Sequence, residues 1–166
     1  LDALLGPSGL FLVQAHHGEL KARSLPILLR ELRETAERVS ALESRSRELA
    51  GAGHPVQVPV LEGASNVFLE GPGGRERLIV DGDGFRLRAS GVRVTFAEIE
   101  ARARADPLAL SPNVLLRPVI EGALLPTVVY VGGPAEAAYH PQTDPVFRAH
   151  GVERPIMHPR ASLLLL

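Results

Sequence analysis

The stretch SPNVLLRPVIEGALLPTVVYVGGPAEAAYH, Ser111–His140, decides how the rest of the chain is read. Within it an apolar strand, Val128–Val131, runs into Gly132-Gly133-Pro134, and a helical pattern then opens with Glu136 and ends near Tyr139 and His140. In open α/β sheets, ligands sit outside the carboxyl ends of strands, where the first N–H groups of the next helix face them. Glycines let a backbone come close, and proline suits a first helical turn because it has no N–H to lose. A tight strand-to-helix connection with an ordinary buried tyrosine is the competing interpretation. The residues alone leave both open.

Upstream, Leu10–Gln14 reads as a short buried strand. A long helix follows from Ser24 to Leu49, with Leu25, Leu28, Leu32, Val39, Leu42 and Leu49 on one face. Pro26 lies near its expected start, and Gly51, Gly53 and Pro55 end it. Val56–Val60 reads as another strand. Asn66–Glu70, Arg75–Asp81 and Phe85–Ser90 are then separated by Gly-Pro-Gly-Gly and Gly82-Asp83-Gly84, the signature of an antiparallel meander. Alternation points Val67, Leu69, Leu78 and Val80 inward. Thr95-Phe96-Ala97-Glu98 predicts a capping box and a helix to Asp106-Pro107. Ser111-Pro112 predicts a further helix, bent or broken at Arg117-Pro118. Asp144-Pro145 opens a short helix ended by Gly151, and Ile156–Arg160 closes the pattern as a strand or turn.

Strand–helix alternation around a meander implies an α/β fold with mostly parallel central strands and an inserted antiparallel β-meander. The expected division is 1–65 and 95–166 as α/β core segments, with 66–94 as the meander insertion. The 166 residues suffice for one domain with a real core, and 45% hydrophobic against 22% charged residues excludes a disordered or fibrous chain. Lys plus Arg (18) nearly balances Asp plus Glu (19), so no general attraction to nucleic acid or membrane is expected. The absence of cysteine excludes disulfide and thiolate chemistry in this chain and fits a cytoplasmic setting. The chain opens on Leu1 and closes on four leucines, Leu163–Leu166, and is read as a piece of something longer.

Six histidines, at 16, 17, 54, 140, 150 and 158, form neither HExxH nor any zinc-like spacing, so no metal site is assigned. Asp81 and Asp83 lack the longer set of oxygen ligands that a calcium loop needs and read as a hairpin turn. Neither GxSxG nor a P-loop occurs. His16 and His17 fall on a loop where ligand contact is open. Arg117, before Pro118, could hold a ligand carboxylate or phosphate, or could pair with Glu121 or Glu136. Arg160, after Pro159, poses the same choice.

The Ser111–His140 stretch, followed by FRAHGV and PIMHPRAS, resembles the BshC family, the cysteine-adding enzymes of bacillithiol biosynthesis. LKARSLPILLRELRETAERVSALE and VPVLEGASNVFL resemble the same family in the same order. The resemblance implies a Rossmann-like core related to class I nucleotidylyl-transfer folds, with connecting insertions and a C-terminal coiled coil through which a homodimer would form. It implies a ligase that joins cysteine to glucosaminyl-malate, with ATP consumed, in bacterial cytoplasm. The family's glycine- and glutamine-rich nucleotide motif, its acidic-histidine motif and its coiled coil are not among these residues. The chain is therefore read as an internal segment of such an enzyme, expected to be inactive alone. On that basis Gly132 and Gly133 would receive an anionic group, and Glu136 would orient an amine or hydroxyl. Tyr139 or His140 would hydrogen-bond the substrate, with Asn113, Arg117 and Arg160 as further binding candidates and the catalytic residue unassigned. A non-catalytic binding or assembly module, or a stand-alone sugar- or nucleotide-binding α/β domain, is the alternative function.

Overall fold

The computed structural model of the protein describes residue 3 and residues 6–161, so the closing leucine run lies outside it. Two helices, α1 (Gly18–Arg33) and α2 (Thr35–Gly51), stand where one was expected. The break falls at Glu34. There the Thr35 hydroxyl donates to the carbonyl oxygens of Leu32 (2.8 Å) and Glu31 (3.2 Å), competing with the helical ladder. Because α1 begins at Gly18, Pro26 is interior rather than near the start.

The meander forms, with its third strand ending at Leu87 rather than Ser90. Strands β1 (Ala64–Gly71), β2 (Gly74–Asp81), β3 (Gly84–Leu87) and β4 (Arg93–Val94) pair antiparallel through tight turns. Gly74 and Gly82 take φ of 96° and 65°, a backbone that L side chains resist. A fifth strand, β5 (Leu110–Pro112), joins the other edge of β1, also antiparallel, giving the order β4-β3-β2-β1-β5. The expectation of mostly parallel strands is therefore corrected. The short turns between β1, β2, β3 and β4 can join only antiparallel neighbours, and β5, far along the chain, also runs antiparallel to β1. Among the described residues the single parallel pair is β6 (Val129–Gly132) with β7 (Ile156–Pro159), linked through α5 (Pro134–Tyr139) and α6 (Asp144–His150).

Val67, Leu69, Leu78, Phe85 and Leu87 are buried and meet Leu28, Leu29 and Leu32 of α1 and Leu42 of α2 in one core. Ile99 and Ala103 of α3 (Phe96–Ala105) belong to it as well, with Leu110, Leu116, Val119 and Phe147 further along the chain. Val80 breaks the expected alternation and is exposed. The pairing of β1 with β2 shifts between Ala64 and Phe68, and Val80 then donates its N–H to Gly63 O at the rim. Glu76 takes an inward position instead.

Three other expectations are revised. Leu10–Gln14 forms no strand among the described residues, and its apolar side chains are exposed. Val56–Val60 also forms no strand; the Gln142 side chain bonds both Val58 N and Val58 O at 3.0 Å, replacing a strand partner. Ser111-Pro112 belongs to β5 rather than opening a helix. Helix α4 (Arg117–Leu124) starts six residues later, so Pro118 sits in its first turn without bending it. The Thr95–Glu98 capping box forms at α3, and Gly151, at φ 66°, ends α6.

Candidate functional site

Asn113 fixes where α4 begins. Its Oδ1 accepts from Leu115 N and Leu116 N, both at 2.9 Å, and its Nδ2 donates to Asn66 Oδ1 at 2.7 Å. Asn66 Nδ2 in turn donates to Glu31 Oε1 at 2.7 Å. Glu31 has no solvent exposure and also meets His150 Nε2 at 2.7 Å and Arg38 Nε at 3.4 Å. A buried polar chain thus ties α1, α2, α6 and β1 to the turn that launches Arg117. Asn113 works in this scaffold, away from any open space.

Arg117 is the side chain where the pieces converge. Its Nη2 lies 3.2 Å from the Tyr130 hydroxyl and 3.5 Å from the Tyr139 hydroxyl, and its Nε lies 3.5 Å from Glu121 Oε1 one turn along α4. Burial lowers the Arg117 pKa, but Glu121 and the two tyrosines outweigh it and the net direction is up. Burial pushes Glu121 up; Arg117 opposes the rise and the neighbouring Glu136 adds to it. Burial also raises Tyr130, against the pull of Arg117. The result is a guanidinium held between a reluctant carboxylate and two phenols.

The β6–α5 turn closes one side of this cluster. Gly133 N donates to Glu136 Oε2 at 2.6 Å, so that N–H is met by its own helix's carboxylate. Arg160 N donates to Gly132 O at 2.8 Å, carrying the β6–β7 pairing one residue further. A Cβ at Gly133 would stand 3.1 Å from Glu136 Oε2 and 3.2 Å from Arg160 Nη2. Glu136 and Arg160 therefore both crowd Gly133, and no larger residue fits there without moving them. His140 is buried beyond them, with its ring 5.5 Å from Tyr130 and 5.9 Å from Phe147 between centroids. Neither ring nitrogen has a partner among the described residues, and burial, then Arg154, holds its pKa below the usual histidine value.

On its other side Arg117 borders a cavity of about 420 Å³. Lys21 of α1 and Arg75 of β2 face it across Ser111 and Pro112 of β5, and His16 and Glu121 complete the polar lining. Lys21 Nζ donates to Leu110 O, and Arg75 Nη2 donates to Pro112 O at 2.6 Å. Burial and then repulsion from Arg75 lower the Lys21 pKa. Three cations against one half-buried carboxylate suit an anionic ligand, and a carboxylate or a phosphate oxygen satisfies the same donors. Sequence reasoning missed Lys21, Arg75 and Tyr130. Only Tyr130 carried a local signal, two residues before Gly132 on the strand; Lys21 and Arg75 meet through the sheet, from positions far apart in the chain.

This chain is matched along residues 1–161 by the family described as bacillithiol biosynthesis BshC, N-terminal Rossmann-like domain. The chain belongs to the BshC family. Among curated relatives it is 38% identical over 164 residues to the "Putative cysteine ligase BshC" of Koribacter versatilis, covering 98% of this chain and 30% of that protein. The protein of the same name from Solibacter usitatus is 39% identical over 141 residues, covering 85% of this chain and 26% of the relative. That from Salinibacter ruber is 32% identical over 167 residues, covering 100% and 30%. The chain thus spans under a third of the length of these BshC relatives. Among the described residues no helix is long and apolar enough to cross a membrane.

Proposed function

We propose that this chain supplies part of the substrate site of a ligase that joins cysteine to glucosaminyl-malate with consumption of ATP. The observation that carries the reading is Arg117. It is fixed by Glu121, Tyr130 and Tyr139 at the mouth of a cavity that Lys21 and Arg75 make cationic. An anionic group, from a substrate carboxylate or from ATP, would be held by Lys21, Arg75 and Arg117. ATP, when bound, supplies the free energy for forming the new bond. Glu121, with its raised pKa, takes or returns a proton beside that anion or orients an amine. The Gly132–Glu136 turn with Arg160 forms the adjoining wall, its shape set by the space left at Gly133.

The test is turnover of the full-length protein that carries this chain, assayed with cysteine, glucosaminyl-malate and ATP. Arg117→Lys keeps the charge and loses the planar fork, and should lower kcat/KM by about 10- to 100-fold, the scale of ~1–3 kcal/mol for a charge-assisted bond. A kcat/KM within twofold of the parent, in a folded variant, would refute the site and leave an assembly module as the better reading.

A further inference from the structure

The face of the five-stranded sheet turned away from the helices carries a second cationic feature, outside the Arg117 cavity. Phe68 of β1 stands opposite Arg77 of β2 in register, and Arg88 follows β3, its N–H donating to Arg77 O at 2.9 Å. Arg75 lies two residues from Arg77 on the same face. The guanidinium carbons of Arg75 and Arg77 lie 4.3 Å and 5.1 Å from the Phe68 ring centroid, so the ring fixes both side chains in place. With Val58, Pro59 and Leu61 these residues border a groove of about 520 Å³.

None of Arg75, Arg77 and Arg88 has an ion-pair partner within 4 Å among the described residues. The contrast lies on the same sheet. Arg86 and Arg93 share Asp81 at 3.8 Å and 2.7 Å. One acid, Glu76, also borders the groove and Glu70 lies beside it, but neither pairs with these arginines. Glu70 is opposite Arg75 in register yet does not reach it, and Glu76 points its Oε2 at Ala89 N (2.9 Å) and Ser90 N (2.6 Å). Burial and repulsion from Arg88 and Arg75 act against the charge on Arg77. Like charges gathered around one ring without a counter-ion leave a strong local field, and planar forks of this kind match the oxygens of phosphate.

We infer that this groove is a binding site for a phosphate-bearing anion, separate from the ligase site and sharing only Arg75 with its wall. Arg77 and Arg88 grip the phosphate oxygens, and three guanidiniums match the charge of a diphosphate better than that of a single carboxylate. The apolar wall of Val58, Pro59 and Leu61 takes the organic part, where there is one.

Calorimetric titration of the full-length protein at fixed ionic strength tests this, using inorganic pyrophosphate, ADP and AMP as probes. The double variant Arg77→Gln/Arg88→Gln should weaken pyrophosphate binding at least tenfold, with an unchanged circular dichroism spectrum. The corresponding double lysine variant should recover only part of it. The binding that the double glutamine variant loses should persist in Arg117→Lys, which separates this site from the one proposed above. Binding of ADP tighter than pyrophosphate brings in the apolar wall; equal binding assigns the site to phosphate alone. Equal affinity in the parent and the double glutamine variant would overturn the inference. So would no binding of any probe, equal competition by sulfate, or preference for an acidic peptide.

Discussion

Replacing Glu31 by alanine tests the scaffold that positions Arg117. The carboxylate is fully buried, accepts from Asn66 Nδ2 at 2.7 Å, and faces His150 at 2.7 Å and Arg38 at 3.4 Å. Removing one partner of a buried ionic cluster costs ~3–5 kcal/mol, because the remaining groups stay desolvated without an acceptor. Arg38 keeps its pairing with Glu34, which places the expected loss near the middle, about 4 kcal/mol. For a chain of this size that corresponds to a fall in Tm of roughly 8–16 °C. Glu31→Gln keeps an acceptor for Asn66 but sets an amide against the His150 donor, and should cost about 1–2 kcal/mol. The loss should also propagate. With Glu31 gone, the Asn66 side chain loses its anchor and holds less firmly the side chain of Asn113, whose Oδ1 caps Leu115 N and Leu116 N. Urea unfolding gives the stability, and amide hydrogen exchange at Leu115 and Leu116 gives the propagation. A loss below about 1 kcal/mol, with unchanged exchange at these two amides, would refute the reasoning.

Gly133→Val should abolish turnover of the full-length protein while leaving it folded. Gly133 has an ordinary φ of −71°, so the damage is the displacement of Glu136 and Arg160, and Gly133→Ala should be milder; full activity in the valine variant would remove the turn from the site. Glu121 takes up its proton at a higher pH than an ordinary carboxylate, first through burial and then through Glu136. The acid limb of kcat/KM should therefore lie above the usual carboxylate range and disappear in Glu121→Gln; an identical limb in that variant counts against it. His140 has its pKa held below 6.5, so the unfolded chain binds the proton first. Its contribution to stability is present above 6.5 and is lost as pH falls from there toward the lower folded value. His140→Phe, packed between Tyr130 and Phe147, should raise the urea midpoint relative to the parent at pH 5.5 more than at pH 7.5. An equal shift at both would show that the histidine is not the titrating group.

What was legible in the sequence was local. The meander announced itself through glycine turns two residues long, α3 through the Thr95–Glu98 pair, and the β6–α5 turn through Gly132-Gly133-Pro134. Each signal is complete within a few residues. The failures share the opposite cause. The break at Glu34 depends on the Thr35 hydroxyl reaching two carbonyls, which periodicity does not record. Val56–Val60 has the composition of a strand but finds a glutamine side chain in place of a neighbouring strand. The start of α4 turns on Asn113, whose side chain is bonded to Asn66 and, behind it, Glu31.

The same division explains why the site was half visible. Arg117 and Glu121 are one helical turn apart, and Glu136 reaches Gly133 across three residues, so spacing alone placed them together. Lys21 and Arg75 enter from α1 and β2, and only the pairing of β5 with β1 brings them to the cavity that Arg117 borders. Their recognition required the sheet order, which neither composition nor periodicity encodes. This also bears on the strand direction expected from the strand–helix alternation. The Rossmann-like character rests here on the parallel β6–β7 pair and its helices, while the larger sheet is the antiparallel meander extended by β5. Arg117 lies between the two: α4 follows β5 of the larger sheet, and its guanidinium reaches Tyr130 on β6 of the parallel pair. A residue that bonds across both units responds to changes in either, which is why the Glu31 substitution, far along the buried chain from the cavity, is expected to reach it.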